Sequence, residues 1–385
     1  MQWNWQRADW PKFTWQQSRL TKAEEQFLVG GGVFLGTVRY LDDADSNELV
    51  VEALSVDAVT TSEIEGEILD RASVQSSIRQ QLGLATDHRR ARPAEQGIAQ
   101  MMVDLHRTFA APLSDKMLHN WHRMLTGGRR DLKDVGRYRT HPEPMQVVSG
   151  PVHAPEVHFE APPSANVPHE MAGFLDWFNH TAPDGSRPLP ALTRAGIAHL
   201  YFVCIHPFED GNGRVGRAIA EKVLAQSLGR PALTALAATI LAKRKAYYEA
   251  LERSNRTNEL TDWLCWFAAV VIEAQRHTLA LVDFLLAKTR LLDAMAGKLN
   301  ERQQKALVRV LREGPEGFKG GLSAGNYIAI TNASPATATR DLADMVAKGA
   351  ITRTGERRHA RYRANVKLRP VAPVAIDEQG RLTEA

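Results

Sequence analysis

Cysteine is scarce in these 385 residues: only Cys204 and Cys265 occur. Two thiols cannot build a disulfide framework or a four-ligand zinc ribbon. They suit a reducing cytoplasm, which is the expected compartment. Long apolar runs are missing as well. The longest, Trp263 to Ile272, ends at Glu273 after ten residues, whereas crossing a bilayer takes roughly 20. The opening MQWNWQRADW has neither a basic n-region nor an apolar h-region, so neither a secretory signal nor a membrane partner is expected. No G-x-x-x-x-G-K-[ST] loop and no H-E-x-x-H motif is present, which excludes a P-loop NTPase and a zincin. His119/His122 and His153/His158 lack the thiolate or carboxylate company of a zinc site and are expected on the surface or in a flap.

What is there is ordinary globular composition, 44% hydrophobic and 24% charged, enough for two or three domains. The net charge of +4 is unevenly spread: residues 301–369 hold 14 Lys and Arg against 6 Asp and Glu. A concentrated basic segment is the footprint of an anionic partner, nucleic acid first, although a solvated basic face looks the same. Half of the eight tryptophans (Trp3, Trp5, Trp10, Trp15) fall in the first 45 residues, which suggests a small aromatic-anchored subdomain. Ser46 is a candidate cap for a helix running to Gly66. Helical spacing returns over about 95–135, then at 168–180, 191–205, 213–228, 234–252 and 260–295. Residues 140–168 alternate instead and read as a short hairpin or flap. After the Gly-rich loop 314–321, the order helix, helix, hairpin following a first helix is that of a winged helix. The tail from Pro370 reads as disordered.

One stretch carries chemistry: His206-Pro-Phe-Glu-Asp210-Gly-Asn-Gly-Arg214-Val-Gly-Arg217. Its G-x-G-x-x-G is not a dinucleotide fingerprint, because no acid follows between Glu221 and Glu249 to hold a ribose. A plain turn does not explain two arginines three residues apart on one helical face, nor a histidine immediately before it. A phosphate cradle does. Gly211 and Gly213 bare their amides, the helix that follows points its positive end at an anion, and Arg214 and Arg217 can grip phosphates bidentately. Asp210 is a hard oxygen ligand suited to Mg²⁺. His206 is the natural base for a hydroxyl proton near neutral pH.

The stretch resembles the Fic signature, H-P-F-x-[DE]-G-N-G-R-x-x-R, without departure. The resemblance, over about residues 1–290, implies a Fic helical core with a short β-hairpin flap; with the C-terminal winged-helix domain read from its own pattern, the expected fold is mainly α. It implies a protein adenylyltransferase that moves AMP from ATP, with Mg²⁺, to a Ser, Thr or Tyr hydroxyl of a target protein. His206 then deprotonates the target and Asp210 holds the metal. The run Asp210, Gly211, Asn212, Gly213, Arg214, Val215, Gly216 and Arg217 binds the nucleotide. Asn212 and the glycine amides serve the α-phosphate, the arginines the β- and γ-phosphates, and Phe208 anchors the loop. Tyr247-Tyr-Glu-Ala-Leu-Glu-Arg-Ser-Asn255 looks like the family's adenosine-facing helix, through Tyr247 and Asn255. Val147, Val148, Ser149 and Gly150 lie where the Fic flap lies, which would receive the target segment. Thr61-Ser-Glu-Ile-Glu65-Gly66 resembles the family's inhibitory motif, with Glu65 pairing with Arg217.

The expected division is a Trp-rich N-terminal domain (1–95), a Fic core (96–295), a winged helix (298–368) and a disordered tail (369–385). Arg353, Arg357, Arg358, Arg361 and Arg363 load the wing, which suits either DNA or a protein surface. A homodimer stays open. So do two rival activities: de-adenylylation using Glu65, and a DNA-binding regulator with the Fic core as nucleotide sensor.

Overall fold

The computed structural model describes residues 2–39, 41–85, 89–150, 155–314, 317–318, 320–368 and 370–384; His153 lies outside them. Two compact units form, residues 1–276 with 372–385, and residues 277–371. No helix among the described residues is long and apolar enough to cross a membrane.

The first unit opens with α1 (Thr21–Val38) and α2 (Asp43–Ile64). Asp42, not Ser46, caps α2: its carboxylate accepts from the Asp45 amide at 2.7 Å, which places Ser46 inside the first turn. An acid at this position satisfies an orphan N–H and complements the helix dipole at once. Gly66 ends the helix at φ +85°, a conformation that suits glycine. Helices α3 (Arg71–Leu82), α4 (Pro93–Thr108) and α5 (Asp115–Leu125) follow. The helical stretch expected to reach about 135 stops at Leu125, where Gly127 and Gly128 break it, and 126–145 run irregularly. Strands β1 (Gln146–Ser149) and β2 (Glu156–Glu160) form the expected antiparallel hairpin.

After α6 (Val167–His180) come α7 (Ala191–Ile205) and α8 (Asn212–Leu228). Every residue of α7 except Val203 is buried, Thr193, Arg194 and His199 included. The two helices meet closely at Gly216, where a Cβ would sit 2.9 Å from Val203 Cγ1 and 3.3 Å from His199 Nδ1. Their short connection, 206–211, is the signature loop. The helix expected over 234–252 breaks at Lys243 into α9 (Leu236–Ala242) and α10 (Arg244–Ser254). The break lets α9 pack on α2 while α10 turns Tyr247 and Ala250 inward. Helix α11 (Thr261–Met295) completes the series, with its residues from 277 on belonging to the second unit.

Both ends of the chain are tied into the first unit. The Trp-rich segment packs in one compact unit with the residues that follow it. The Asn4 amide donates to the Asn255 carbonyl (2.7 Å), Trp5 Nε1 to the Glu160 carbonyl (2.6 Å), and Trp3 meets Phe159 edge-on. The segment is stitched across the flap base and the end of α10. The C-terminal tail is not loose either. Val374–Ile376 pairs with Leu382–Glu384, and the Val374 amide donates to Glu273 of α11 at 2.9 Å.

The second unit sets α12 (Glu301–Leu311), α13 (Ala324–Thr331) and α14 (Pro335–Ala347) ahead of an antiparallel pair, Ile351–Thr354 with Arg361–Ala364. Asn300, Ser323 and Ser334 cap the three helices. Leu307, Tyr327, Leu342 and Met345 bury its core, and Leu322 bridges to Tyr362 of the hairpin.

Candidate active site

The signature loop is held from within and from outside. His206 caps α7 in the left-handed region (φ 53°, ψ 57°) and turns the chain out of the helix. Such a conformation costs a non-glycine residue of order 1–3 kcal/mol and persists only where the surroundings enforce it. They do so here: Arg139, itself buried, donates from Nε to the His206 carbonyl (2.8 Å) and from its amide to the Pro207 carbonyl (2.9 Å). Phe208 is fully buried and stacks on the His122 ring at 4.2 Å, confirming it as the loop's anchor; its burial is worth ~1.5–3 kcal/mol. His122 is therefore no surface residue. It is buried, its Nδ1 accepts from the Gly136 amide (2.9 Å), and burial pushes it down to about 4. Asn212 has a structural part as well as its expected one: its Oδ1 accepts from the Phe208 amide (3.0 Å) and its Nδ2 donates to the Phe208 carbonyl (2.8 Å), so the side chain closes the loop and keeps a second N–H on Nδ2.

Helix α8 begins there. Gly211 is its N-cap at φ +82°, and the first intrahelical bond runs from the Val215 amide to the Gly211 carbonyl (3.0 Å). The amides of Asn212, Gly213 and Arg214 precede that bond and are the orphan donors of the helix start. Gly211 to Gly213 line a cavity of about 780 Å³, together with His206, Asp210 and Glu65. Val215 and Gly216 do not reach it: Val215 lies in the hydrophobic core and Gly216 packs on α7.

His206 is half-buried, with Nδ1 3.2 Å from the Val203 carbonyl. Burial pushes its imidazole down to about 4; Arg139 adds to this, while the Val203 carbonyl, Glu65 and Asp210 oppose it. The ring is neutral at pH 7 and free to accept a proton. Burial raises Asp210, but Arg214, the Gly211 amide and Arg129 together hold it below the usual carboxylate value. Arg129 Nη1 donates to it at 2.7 Å. Burial also pushes the Cys204 thiol up to about 12, which removes it as a nucleophile.

The two arginines are buried and engaged. Arg217 donates from Nε to Thr61 Oγ1 (2.7 Å), and from Nη2 to the Thr61 carbonyl (2.9 Å) and Glu65 Oε1 (2.7 Å). Thr61 in the last turn of α2 and Glu65 at its C-cap thus share one guanidinium. Burial works against the charge on Arg217, and Glu65 outweighs it. Arg214 Nη1 donates to Glu67 Oε2 at 2.8 Å. Sequence reasoning missed Glu67, although Glu65-Gly66-Glu67 puts a second acid at the same helix end. It also missed Arg139, for which nothing local signals. Arg214 Nε and Arg217 Nη1 are buried and have no hydrogen-bond partner among the described residues. Gly213 faces this cluster: a Cβ there would fall 2.1 Å from Glu65 Oε1.

Tyr247 and Asn255 both line the cavity from α10. Tyr247 is buried, its hydroxyl 2.8 Å from His199 Nε2; the Asn255 side chain accepts from Cys204 Sγ at 3.3 Å. Val147, Val148 and Ser149 line the opposite wall, and Gly150 ends β1 at φ +84°. Thr61 and Gly66 do not line the cavity: Thr61 holds Arg217 and Gly66 ends α2. Among the described residues no group of three or more His, Cys, Asp or Glu could hold a metal ion alone. One carboxylate, Asp210, is nevertheless what Mg²⁺ asks for when phosphate oxygens and water complete its shell, so the residues fit that ion.

Residues 112–224 match the model of the Fic/DOC family, and residues 3–84 match a domain of unknown function, DUF4172. The chain is 32% identical over 144 residues to "Protein adenylyltransferase fic-1" of Caenorhabditis briggsae, covering 37% of this chain and 24% of that one. It is 30% identical over 134 residues to "Protein adenylyltransferase Fic" of Nematostella vectensis, covering 35% and 27%. It thus spans about a quarter of the length of these curated relatives. A crystal structure of a Fic family protein from Desulfovibrio desulfuricans G20 superposes with a TM-score of 0.50 at 20% identity, covering 89% of this chain and 95% of that one, a likeness of fold. The loop, the helix that follows it and the family match fall on the same residues: this chain carries a Fic/DOC domain behind a DUF4172 domain.

Proposed function

We propose that the protein transfers AMP from ATP to a hydroxyl of a target protein, and that Glu65 and Glu67 hold it inactive. The observation that carries this reading is the pair of buried arginines beside a helix start, each with an unpartnered N–H and each held by one acid of the same segment. A polyanion satisfies those donors once the acids leave.

In this reading the amides of Asn212, Gly213 and Arg214 receive the α-phosphate, and Arg214 and Arg217 the β- and γ-phosphates. Tyr247, Asn255 and the flap residues Val147 to Gly150 enclose the nucleoside. Mg²⁺, when bound, supplies charge neutralisation between phosphates, with Asp210 as its protein ligand. His206 takes the proton of the target hydroxyl as that oxygen attacks the α-phosphorus and pyrophosphate leaves. An imidazole titrating near 4 is a weak base, so positioning and charge neutralisation do most of the work. While Glu65 occupies Arg217, the γ-phosphate lacks its partner and the α-phosphorus sits out of line. Incubation with α-labelled ATP and Mg²⁺ tests the reading: Glu65→Gly should incorporate label into protein well above the parent. An unlabelled variant that still binds ATP would refute transfer.

For the second unit we infer DNA binding. Thr339 and Arg340 of α14 and Arg353, Arg357 and Arg363 of the hairpin are exposed. Affinity for duplex DNA should fall with salt at a log–log slope of about −0.9 per phosphate neutralised. A salt-independent or absent retention by the full chain at low salt would transfer the basic face to a protein partner.

A further inference from the structure

The flap carries a second hydroxyl–base pair that the transfer scheme above does not use. Ser149 Oγ lies 2.6 Å from His158 Nε2, and His158 Nδ1 lies 3.3 Å from Glu252 Oε2. The three residues come from β1, β2 and α10, and all three line the cavity that holds His206 and the signature loop. The strand register explains how His158 gets there. Val147 pairs with Phe159 but Val148 pairs with Val157, so His158 is the extra residue of a β-bulge. A bulge re-aims the side chain it carries, and bulges concentrate beside active sites. Chemistry then fixes the proton arrangement. A carboxylate only accepts, so the ring proton belongs on Nδ1, toward Glu252. Nε2 is left with a lone pair that faces the Ser149 hydroxyl, which donates to it. A hydroxyl bonded to an imidazole that an acid orients is an activated nucleophile.

We propose that Ser149 is an acceptor of AMP within the chain itself, with His158 as its base and Glu252 as a positioning residue. The inference rests on the adenylyl-transfer reading. In the step, Ser149 Oγ forms a bond to the α-phosphorus while the bond from that phosphorus to the pyrophosphate oxygen breaks. The hydroxyl proton passes to His158 Nε2, the imidazolium is stabilised by Glu252, and pyrophosphate leaves. The product is a flap that carries AMP at the rim of the slot a target segment would enter, so self-modification competes with transfer.

The test uses the full chain carrying Glu65→Gly, incubated with ATP and Mg²⁺ and mapped by peptide mass spectrometry. The expected result is one AMP on the peptide containing Ser149, absent from that peptide in Ser149→Ala. His158→Ala should slow labelling of Ser149 by ~10²–10⁴-fold, the contribution of a general base, with ATP affinity and thermal midpoint retained. Glu252→Gln should slow it less, because the carboxamide still orients the ring. Label found only on other residues overturns the inference and leaves adenylyl transfer standing. Ser149 labelled at an unchanged rate in His158→Ala overturns the relay. No label on any residue overturns both readings.

Discussion

The two sides of the acid–arginine contact are built differently. Arg217 and Arg214 have side chains only 2% and 7% exposed, whereas Glu65 and Glu67 are 31% and 38% exposed. The arginines rise from the first two turns of α8, where both are buried. The acids sit where α2 has just ended, at the rim. A buried cation stripped of its partner pays a full desolvation penalty, while a rim carboxylate that leaves regains water. In the proposed scheme the cradle is therefore permanent and the block is removable. Changes on the core-held side should cost rate or stability; changes on the rim-held side should raise rate.

The largest effect expected falls on the core-held side. His206→Ala, made in the Glu65→Gly background so that activity is visible, should lower labelling of residues other than Ser149 by ~10²–10⁴-fold. ATP affinity should stay nearly unchanged, since it resides in the amides and arginines. Transfer at the Glu65→Gly rate would remove His206 as the base. Next in size is Glu65→Gly alone. A charge-assisted hydrogen bond is worth ~1.5–3 kcal/mol, which is roughly 10- to 150-fold in the competent population. Initial rates of self-labelling measure it. Adding Arg217→Ala should erase most of the gain; a double variant as active as the single one would detach the effect from the arginine.

Legibility in the sequence follows the range of the contacts. The loop 206–217 could be read because glycines, a capped helix start and adjacent ligand side chains are local facts. Phe208 followed as its anchor. The stacking partner, His122, did not, since nothing local shows that a lone histidine lies under a phenylalanine 86 positions away. The loop-closing part of Asn212 was hidden too, because only folding brings both its polar atoms onto the Phe208 backbone. The terminal hairpin was unreadable for the same reason: its anchors, Glu273 and the backbone at Arg19, are distant in sequence. The bulge at His158 depends on register, which alternation alone leaves open.

A smaller effect sharpens the contrast between the two acids. Glu67 is the more exposed, and Arg214 also has Asp210 within 3.4 Å. Surface pairs contribute ~0.2–1 kcal/mol, so Glu67→Gln should activate only about 1.5- to 5-fold. Combined with Glu65→Gly the gains should interact, because the acids are two residues apart and share one helix end. A Glu67→Gln variant as active as Glu65→Gly would make Arg214, not Arg217, the controlling cation.

The smallest change is expected from pH. An unburied histidine titrates near 6.5, and as a base it would lose about tenfold of its neutral form by pH 5.5. His206 is pushed down to about 4, by burial first and by Arg139 next. The sign follows from the role: a base works in its neutral form, so a lowered pKa extends activity toward acid. At pH 5.5 about 97% of a group titrating at 4 is still neutral. In Glu65→Gly the carboxylate that opposes the shift is gone, so the acid limb should move no higher. The kcat/KM for transfer by that variant should therefore be flat from pH 8 to pH 5.5, with its acid limb well below 6.5. A tenfold loss by pH 5.5, with ATP affinity constant, would mean that His206 is solvated like any surface histidine. The strained cap and the Arg139 clamp would then not be what sets the base.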